Sequence, residues 1–141
     1  MNNEEATKIV SKLYNEWADA LTSHRAEWFE RHIADDFALT AHPFSKLRLD
    51  KKEFIAVDMK VENTQIKFLD IKATSAGDIL ISQAVAEVKE DFRADLGAGM
   101  PSAAEVTNLL SGKVLAYASA WRKTADVWQC FDHHMIGPVQ R

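Results

Sequence analysis

The chain has 141 residues, 47% of them hydrophobic and 27% charged, with five Gly, three Pro and one Cys. This profile predicts one globular domain spanning residues 1–141, large enough to fold without disulfides or a structural metal. A net charge of −4 argues against a nucleic-acid partner, and an acidic N-terminus without a long apolar run predicts a cytoplasmic protein with no membrane partner.

The chain begins with residues that favour helices. Apolar residues recur about every four positions from residue 4 to residue 22, with charged residues between them, which predicts an amphipathic helix. Asn2 or Asn3 is the expected N-cap, because asparagine side chains accept hydrogen bonds from the first backbone N–H groups of a helix. A second, shorter helix containing Trp28 and Phe29 is expected to follow.

A short strand and a third helix complete the first half. Residues 37–42 alternate between larger apolar and other side chains, and Pro43 ends the predicted strand because proline cannot donate to a ladder. Asp50 precedes a short stretch with apolar residues and is the expected N-cap of the third helix.

The second half changes to the alternation typical of strands. Four strands are predicted, over residues 66–73, 79–92, 114–123 and 127–136. Their succession favours an antiparallel sheet. Between the second and third strands, residues 97–112 hold a short helix that Ser102 is expected to cap. This segment is interpreted either as a lid over a pocket or as a cover for a sheet edge.

Helices followed by a curved antiparallel sheet indicate an α+β fold, in which the helices must cover one face of the sheet. In this arrangement the chain resembles the nuclear transport factor 2-like superfamily, particularly its SnoaL-like and ketosteroid-isomerase-like branch. Four short segments carry the resemblance, and they are residues 17–21, 33–37, 121–123 and 128–134. It implies a cone-shaped, mixed sheet wrapped around N-terminal helices.

The resemblance also implies three positions for chemistry. The family's isomerases have a base just before a proline at the end of the first strand, which corresponds to His42 or, with a one-residue offset, to Ala41. Their helix donor corresponds to Trp17 and their late-strand donor to Ser119. None of these is the isomerase residue, although a histidine exchanges protons near neutrality. Alternatively, His42 is exposed and Trp17 is ordinary core.

Alternation assigns faces to the two C-terminal strands. Tyr117, Ser119 and Trp121 share one face of the predicted third strand and are expected to line the cone, whereas alanines occupy the other face. The alanine face suggests the interface of a homodimer, and the alternative is that both faces are ordinary core.

On the last strand Asp132 and His134 lie two residues apart on one face, as a candidate ligand-binding pair or as polar residues at a sheet edge. Glu87 is a candidate buried acid because it shares its parity with Ile81 and Val85. The side chains of His133 and His134 point to opposite faces in a regular strand, so no metal site is predicted there.

Two functions remain open from the sequence. One is a cofactor-independent isomerase, cyclase or dehydratase for a small apolar metabolite, with His42 transferring protons, Ser119 contacting an oxyanion, and Trp17, Tyr117 and Trp121 forming the pocket wall. The other is a non-catalytic ligand-binding or association module. No cofactor is expected for either.

Overall fold

The structure is a computed structural model that describes residues 1–97 and 99–140. Ala98, within the segment considered as a lid, and Arg141, the last residue of the predicted domain, lie outside the described residues. The elements in chain order are α1 (Asn3–Thr22), α2 (Ala26–His32), β1 (Ile33–Ala41), β2 (Arg48–Leu49), α3 (Lys51–Asp58), β3 (Val61–Ala76), β4 (Ile79–Phe92), α4 (Ala103–Leu110), β5 (Lys113–Thr124) and β6 (Val127–Pro138).

The strands form one six-stranded sheet in the order β2-β1-β6-β5-β4-β3. All neighbours pair antiparallel except β1 and β6, which are parallel, so the sheet is mixed. The predicted α+β class, with a curved mixed sheet around N-terminal helices, is confirmed. None of the helices described in this structure is long and apolar enough to cross a bilayer.

The helices bury one side each against this sheet. On α1 the buried residues recur at helical spacing, and they are Ala6, Val10, Leu13, Tyr14, Trp17, Ala20 and Leu21. Asn2 caps this helix by accepting a hydrogen bond from the N–H of Glu5 at 2.8 Å. A reciprocal capping box between Asp50 and Glu53 starts α3. Short helices with defined starts thus place their inward side chains at fixed positions.

The starts of β1 and β3 differ most from the predicted ones. β1 begins at Ile33, directly after α2 and four residues before the predicted start. β3 begins at Val61, five residues before the predicted start, because its first residues are mostly polar and give no apolar alternation. β3 is an edge strand, and Asn63 in it has a φ of 55° next to a register shift, so regular alternation fails there.

Candidate functional site

A cavity of about 130 Å³ lies between the sheet and helices α1, α3 and α4. Its wall is mostly aliphatic and aromatic, and Val106 and Leu110 of α4 form part of it. An engineered apolar cavity of roughly 150 Å³ binds benzene, so this volume suits a ligand about the size of one six-membered ring. Among the residues that the structure describes, no three His, Cys, Asp or Glu side chains are grouped to hold a metal ion.

Two buried carboxyl groups, those of Asp58 and Glu90, face this apolar cavity. Asp58 is the last residue of α3, and its Oδ2 atom is buried without a hydrogen-bond partner among the described residues. Glu90 lies on β4, on the same inward face as Leu80 and Val88. A negative charge is therefore unfavourable at both positions, and at Asp58 the C-terminal end of the helix dipole adds to this effect.

The pKa values of both carboxyl groups are raised. Burial raises the pKa of Asp58 well above its usual value, and the charge of Glu90 raises it further. Burial alone raises the pKa of Glu90 from 4.5 to about 7. Near pH 7 Glu90 exchanges a proton, and its negative charge favours the protonated form of Asp58, which gives the cavity a proton acceptor and a proton donor.

A buried hydrogen-bond network connects α1 with β4, β5 and β6. Tyr14 Oη donates to Ser119 Oγ at 2.7 Å and lies 2.9 Å from Ser82 Oγ. Trp121 Nε1 donates to Ser82 Oγ at 2.9 Å. Ser119 Oγ lies 2.7 Å from Nδ1 of His133. The network therefore ends at a histidine that lines the cavity.

Two aromatic rings enclose the imidazole of His133. The Tyr117 ring stacks on it with centroids 5.2 Å apart at 15°, and the centroid of Trp17 lies 4.7 Å away. Burial lowers the pKa of His133 to about 3, and the neighbouring His134 lowers it further. His133 is therefore a neutral hydrogen-bonding group at the pH at which Glu90 titrates.

Tyr117 also lines the cavity. Burial raises its pKa well above the usual value, and the charges of Glu90 and Asp58 contribute to the same shift. Its hydroxyl group therefore keeps its proton. Together with Asp58 and His133, it gives the cavity hydrogen-bonding groups among otherwise apolar walls.

His42 lies outside this cavity. It follows the last residue of β1, its side chain is exposed, and its backbone N–H donates to the carbonyl of Met135 at 2.9 Å. The assignment of proton transfer to His42 is therefore corrected, because an exposed imidazole beyond the strand end does not face a ligand in this cavity.

Asp132 and His134 also lie outside the cavity, whereas His133 lines it. Trp121 pairs with Cys130 and Ala120 pairs with Asp132, so Phe131 is an extra residue in β6. This β-bulge shifts the alternation, and Cys130 and His133 are both buried while Asp132 is exposed. Regular parity, on which the sequence interpretation depended, does not hold across the bulge.

The remaining predicted site residues lie in or behind the cavity wall. Trp17 and Tyr117 line the cavity directly. Ser119 and Trp121 are buried behind it and belong to the hydrogen-bond network. These four positions come together in space, although the sequence connected them to His42 and not to His133.

The sequence interpretation missed both buried carboxyl groups. Asp58 lies four residues after Phe54 on α3, so helical spacing could have placed it on the buried side. On β4 the inward face carries small alanines and the outward face carries Ile81, which is 52% exposed. This pattern made Glu87 the expected buried acid, and that expectation is wrong, since Glu87 is exposed and Glu90 is buried.

The raised pKa of Glu90 predicts a pH dependence of stability. Between pH 4.5 and about 7 the folded state binds more protons than the unfolded state, so the free energy of unfolding falls as the pH rises. Replacing Glu90 with Gln removes this loss. The free energy of unfolding of Glu90→Gln minus that of wild type should therefore rise by about 3 kcal/mol from pH 4 to pH 8, as measured by urea unfolding.

Glu87→Gln is the matched control, because Glu87 is exposed on the same strand. Its unfolding free energy relative to wild type should stay nearly constant over this pH range. Equal pH profiles for wild type and Glu90→Gln would contradict the assignment of a buried, proton-binding Glu90.

Several solved structures have a fold similar to that of this chain. No protein-family model and no curated protein matches it. A nuclear transport factor 2-like protein from Cytophaga hutchinsonii is 14% identical, with a TM-score of 0.72 over 97% of this chain and 99% of that one. A superfamily member from Salmonella enterica serovar Typhimurium is 8% identical, with a TM-score of 0.70 over 97% and 94%.

A third similar structure, from Streptomyces avermitilis, is named only as a candidate dehydratase of the nuclear transport factor 2-like family. It is 14% identical and covers 98% of this chain and 99% of that one, with a TM-score of 0.68. The SnoaL-like branch stays a prediction, since such low identities establish the fold alone. The chain has the nuclear transport factor 2-like fold.

Proposed function

We propose that this protein is a cofactor-independent proton-transfer enzyme for a small, apolar carbonyl compound, of the isomerase, cyclase or dehydratase kind. The observation that carries the proposal is the pair of buried carboxyl groups, Asp58 and Glu90, in one apolar cavity, where both pKa values are raised and the charge of Glu90 favours the protonated form of Asp58. Pairs of titratable groups with separated pKa values divide the roles of acid and base between them. The cavity volume of about 130 Å³ limits the substrate to about one ring.

In this mechanism Glu90 is the base. Its pKa of about 7 makes it partly ionised near neutrality, where a catalytic base is most effective. The carboxylate removes a proton from the carbon next to the substrate carbonyl, and the electron pair of that C–H bond moves into the enolate. Returning the proton to another carbon completes an isomerisation, with no net gain or loss of atoms.

Asp58 stabilises the enolate oxygen. Burial and the charge of Glu90 both raise the pKa of its carboxyl group, which favours the protonated form, and that form donates a hydrogen bond to the developing negative charge. Donors fixed in a site that excludes water stabilise such a charge more than water does. The unpartnered Oδ2 of Asp58 fits this role, because no described protein group competes for it.

Trp17 and Tyr117 remain the proposed ligand-binding walls. Both line the cavity, and their rings pack against His133. Ser119 and Trp121 act through the network behind His133 and do not contact the substrate themselves. His42 has no part in this mechanism.

Deuterium exchange into cyclohexanone tests the first chemical step. In D₂O the wild-type protein should accelerate exchange of the protons next to the carbonyl, with a rate that rises with pH and levels off above about 7. Glu90→Gln should lower the exchange rate by at least about 100-fold, because an amide does not act as the base. Mass spectrometry of the recovered ketone measures the exchange.

Glu87→Gln serves again as the control and should exchange like wild type. Cyclohexanone that binds in the cavity without exchanging faster than in buffer would reject the enzyme and favour the alternative, a non-catalytic ligand-binding module. Equal exchange by wild type and Glu90→Gln would reject Glu90 as the base.

We also propose a homodimer formed through the outer face of the sheet. On this face Ile81 is 52% exposed and pairs with Ala120 of β5, so a large apolar side chain lies beside a flat alanine row. A stable dimer needs to bury about 1,000 Å² or more in total, an area that a sheet face can supply.

The solution mass of an Ile81→Glu variant tests this interface. A charge at the centre of the face should convert the wild-type dimer into a monomer, measured by light scattering after size-exclusion chromatography. Asn15→Glu introduces the same charge at an exposed position on α1 and should leave the dimer intact. A monomeric wild type, or a dimeric Ile81→Glu variant, would reject the interface.

A further inference from the structure

The donors and acceptors of the hydrogen-bond network behind the cavity follow from the chemistry of its side chains. Trp121 Nε1 only donates, so Ser82 Oγ accepts its hydrogen bond at 2.9 Å. The single proton of Tyr14 Oη is donated to Ser119 Oγ at 2.7 Å. The Ser82 hydroxyl has two acceptors for its single proton, Tyr14 Oη at 2.9 Å and the backbone carbonyl of Ser119 at 3.3 Å. Either acceptor leaves Tyr14 as the donor to Ser119.

The last hydrogen bond of the network joins Ser119 to His133, and its donor can be assigned in the same way. Ser119 Oγ accepts from Tyr14, so its own proton needs an acceptor, and Nδ1 of His133 lies 2.7 Å away. All of these groups are buried, and a buried hydroxyl without an acceptor costs free energy. Ser119 therefore donates to Nδ1, and a neutral imidazole that accepts at Nδ1 carries its proton on Nε2.

The imidazole itself has little freedom to reverse this arrangement. Its ring packs against those of Trp17 and Tyr117, and its exposed fraction is 8%. Nε2 is on the other side of the ring from the nitrogen that meets Ser119, and it has no hydrogen-bond partner among the described residues. Since His133 lines the cavity and its Nδ1 meets Ser119, Nε2 is the ring nitrogen left to bind a ligand.

We propose that the donor chain Tyr14–Ser119 fixes His133 as the Nε2–H tautomer, so that this wall presents one N–H donor and selects ligands with an oxygen acceptor. Tyr14 and Ser119 are positioning residues in this scheme, because they act on the ligand only through His133. The inference deepens the proposed function because it names the ligand atom that binds at this wall, an oxygen that accepts a hydrogen bond. It does not depend on turnover, because the tautomer exists in the protein without a ligand.

Nitrogen-15 NMR of histidine-labelled protein tests the tautomer directly. In wild type, Nδ1 of His133 should have the chemical shift of an unprotonated nitrogen and Nε2 that of a protonated one. Ser119→Ala removes the partner of Nδ1 and should populate the second tautomer, while Ser119→Thr keeps the hydroxyl and should restore the first. Tyr14→Phe should shift the population in the same direction as Ser119→Ala, by a smaller amount.

His134 provides an internal control on the same strand. Its Nδ1 lies 2.7 Å from the hydroxyl of Thr40, away from the cavity network. Thr40→Val should change the signals of His134 and leave those of His133 unchanged. A wild-type His133 with its proton on Nδ1 would overturn the proposal without any variant. Unchanged tautomer populations in folded Ser119→Ala and Tyr14→Phe would overturn it as well.

A pair of ligands of similar shape tests the selectivity. Cyclohexanone has an oxygen acceptor where methylenecyclohexane has a CH₂ group. His133→Phe should lower the affinity for the ketone relative to the alkene by roughly 3- to 10-fold compared with wild type, the range expected for one hydrogen bond. An unchanged ratio would overturn the proposed selection of an acceptor. Absent deuterium exchange together with the expected tautomer and ratio would reject the proposed enzyme function alone.

Discussion

The β-bulge at Phe131 determines which side chains of β6 face the cavity. Without the extra residue, the alternation that buries Cys130 would also bury Asp132 and turn His133 outward. With it, a neutral imidazole replaces a carboxylate on the inner face. Since β6 pairs with both β1 and β5, neighbouring strands on both sides hold it in this register. Bulges of this kind often lie beside functional sites because they redirect single side chains.

The fold was largely predictable because it depends on periodic burial. The four-residue spacing on α1, the capping boxes of α3 and α4, and the alternation on β4 and β5 each arise from local sequence and recur in the structure. The short β2 was not predicted, because two residues give no pattern. The early start of β3 was missed because an edge strand needs less apolar surface than a central one.

The site was less predictable because it depends on departures from periodicity. His133 faces inward only because of the bulge, and Glu90 interrupts an inward face that small alanines make difficult to recognise. Asp58 lies at a helix end, where the apolar pattern stops. The resemblance to the family's isomerases did indicate Trp17 and Ser119, which belong to the cavity wall and to the network behind it, respectively. The same resemblance indicated His42, which is exposed.

One physical effect unites the polar groups of the cavity, since burial favours the neutral form of each. It raises the pKa of Asp58 and Glu90, lowers that of His133, and raises that of Tyr14 to about 12. Between about pH 3 and pH 7, Tyr14, Glu90 and His133 are therefore mainly uncharged. Above about pH 7 Glu90 acquires a negative charge, which favours the protonated form of Asp58. An apolar wall accommodates a single charge of this kind because the neighbouring groups remain neutral donors. A neutral ligand with one acceptor atom matches such a cavity, whereas an anionic ligand would bring a second negative charge beside Glu90.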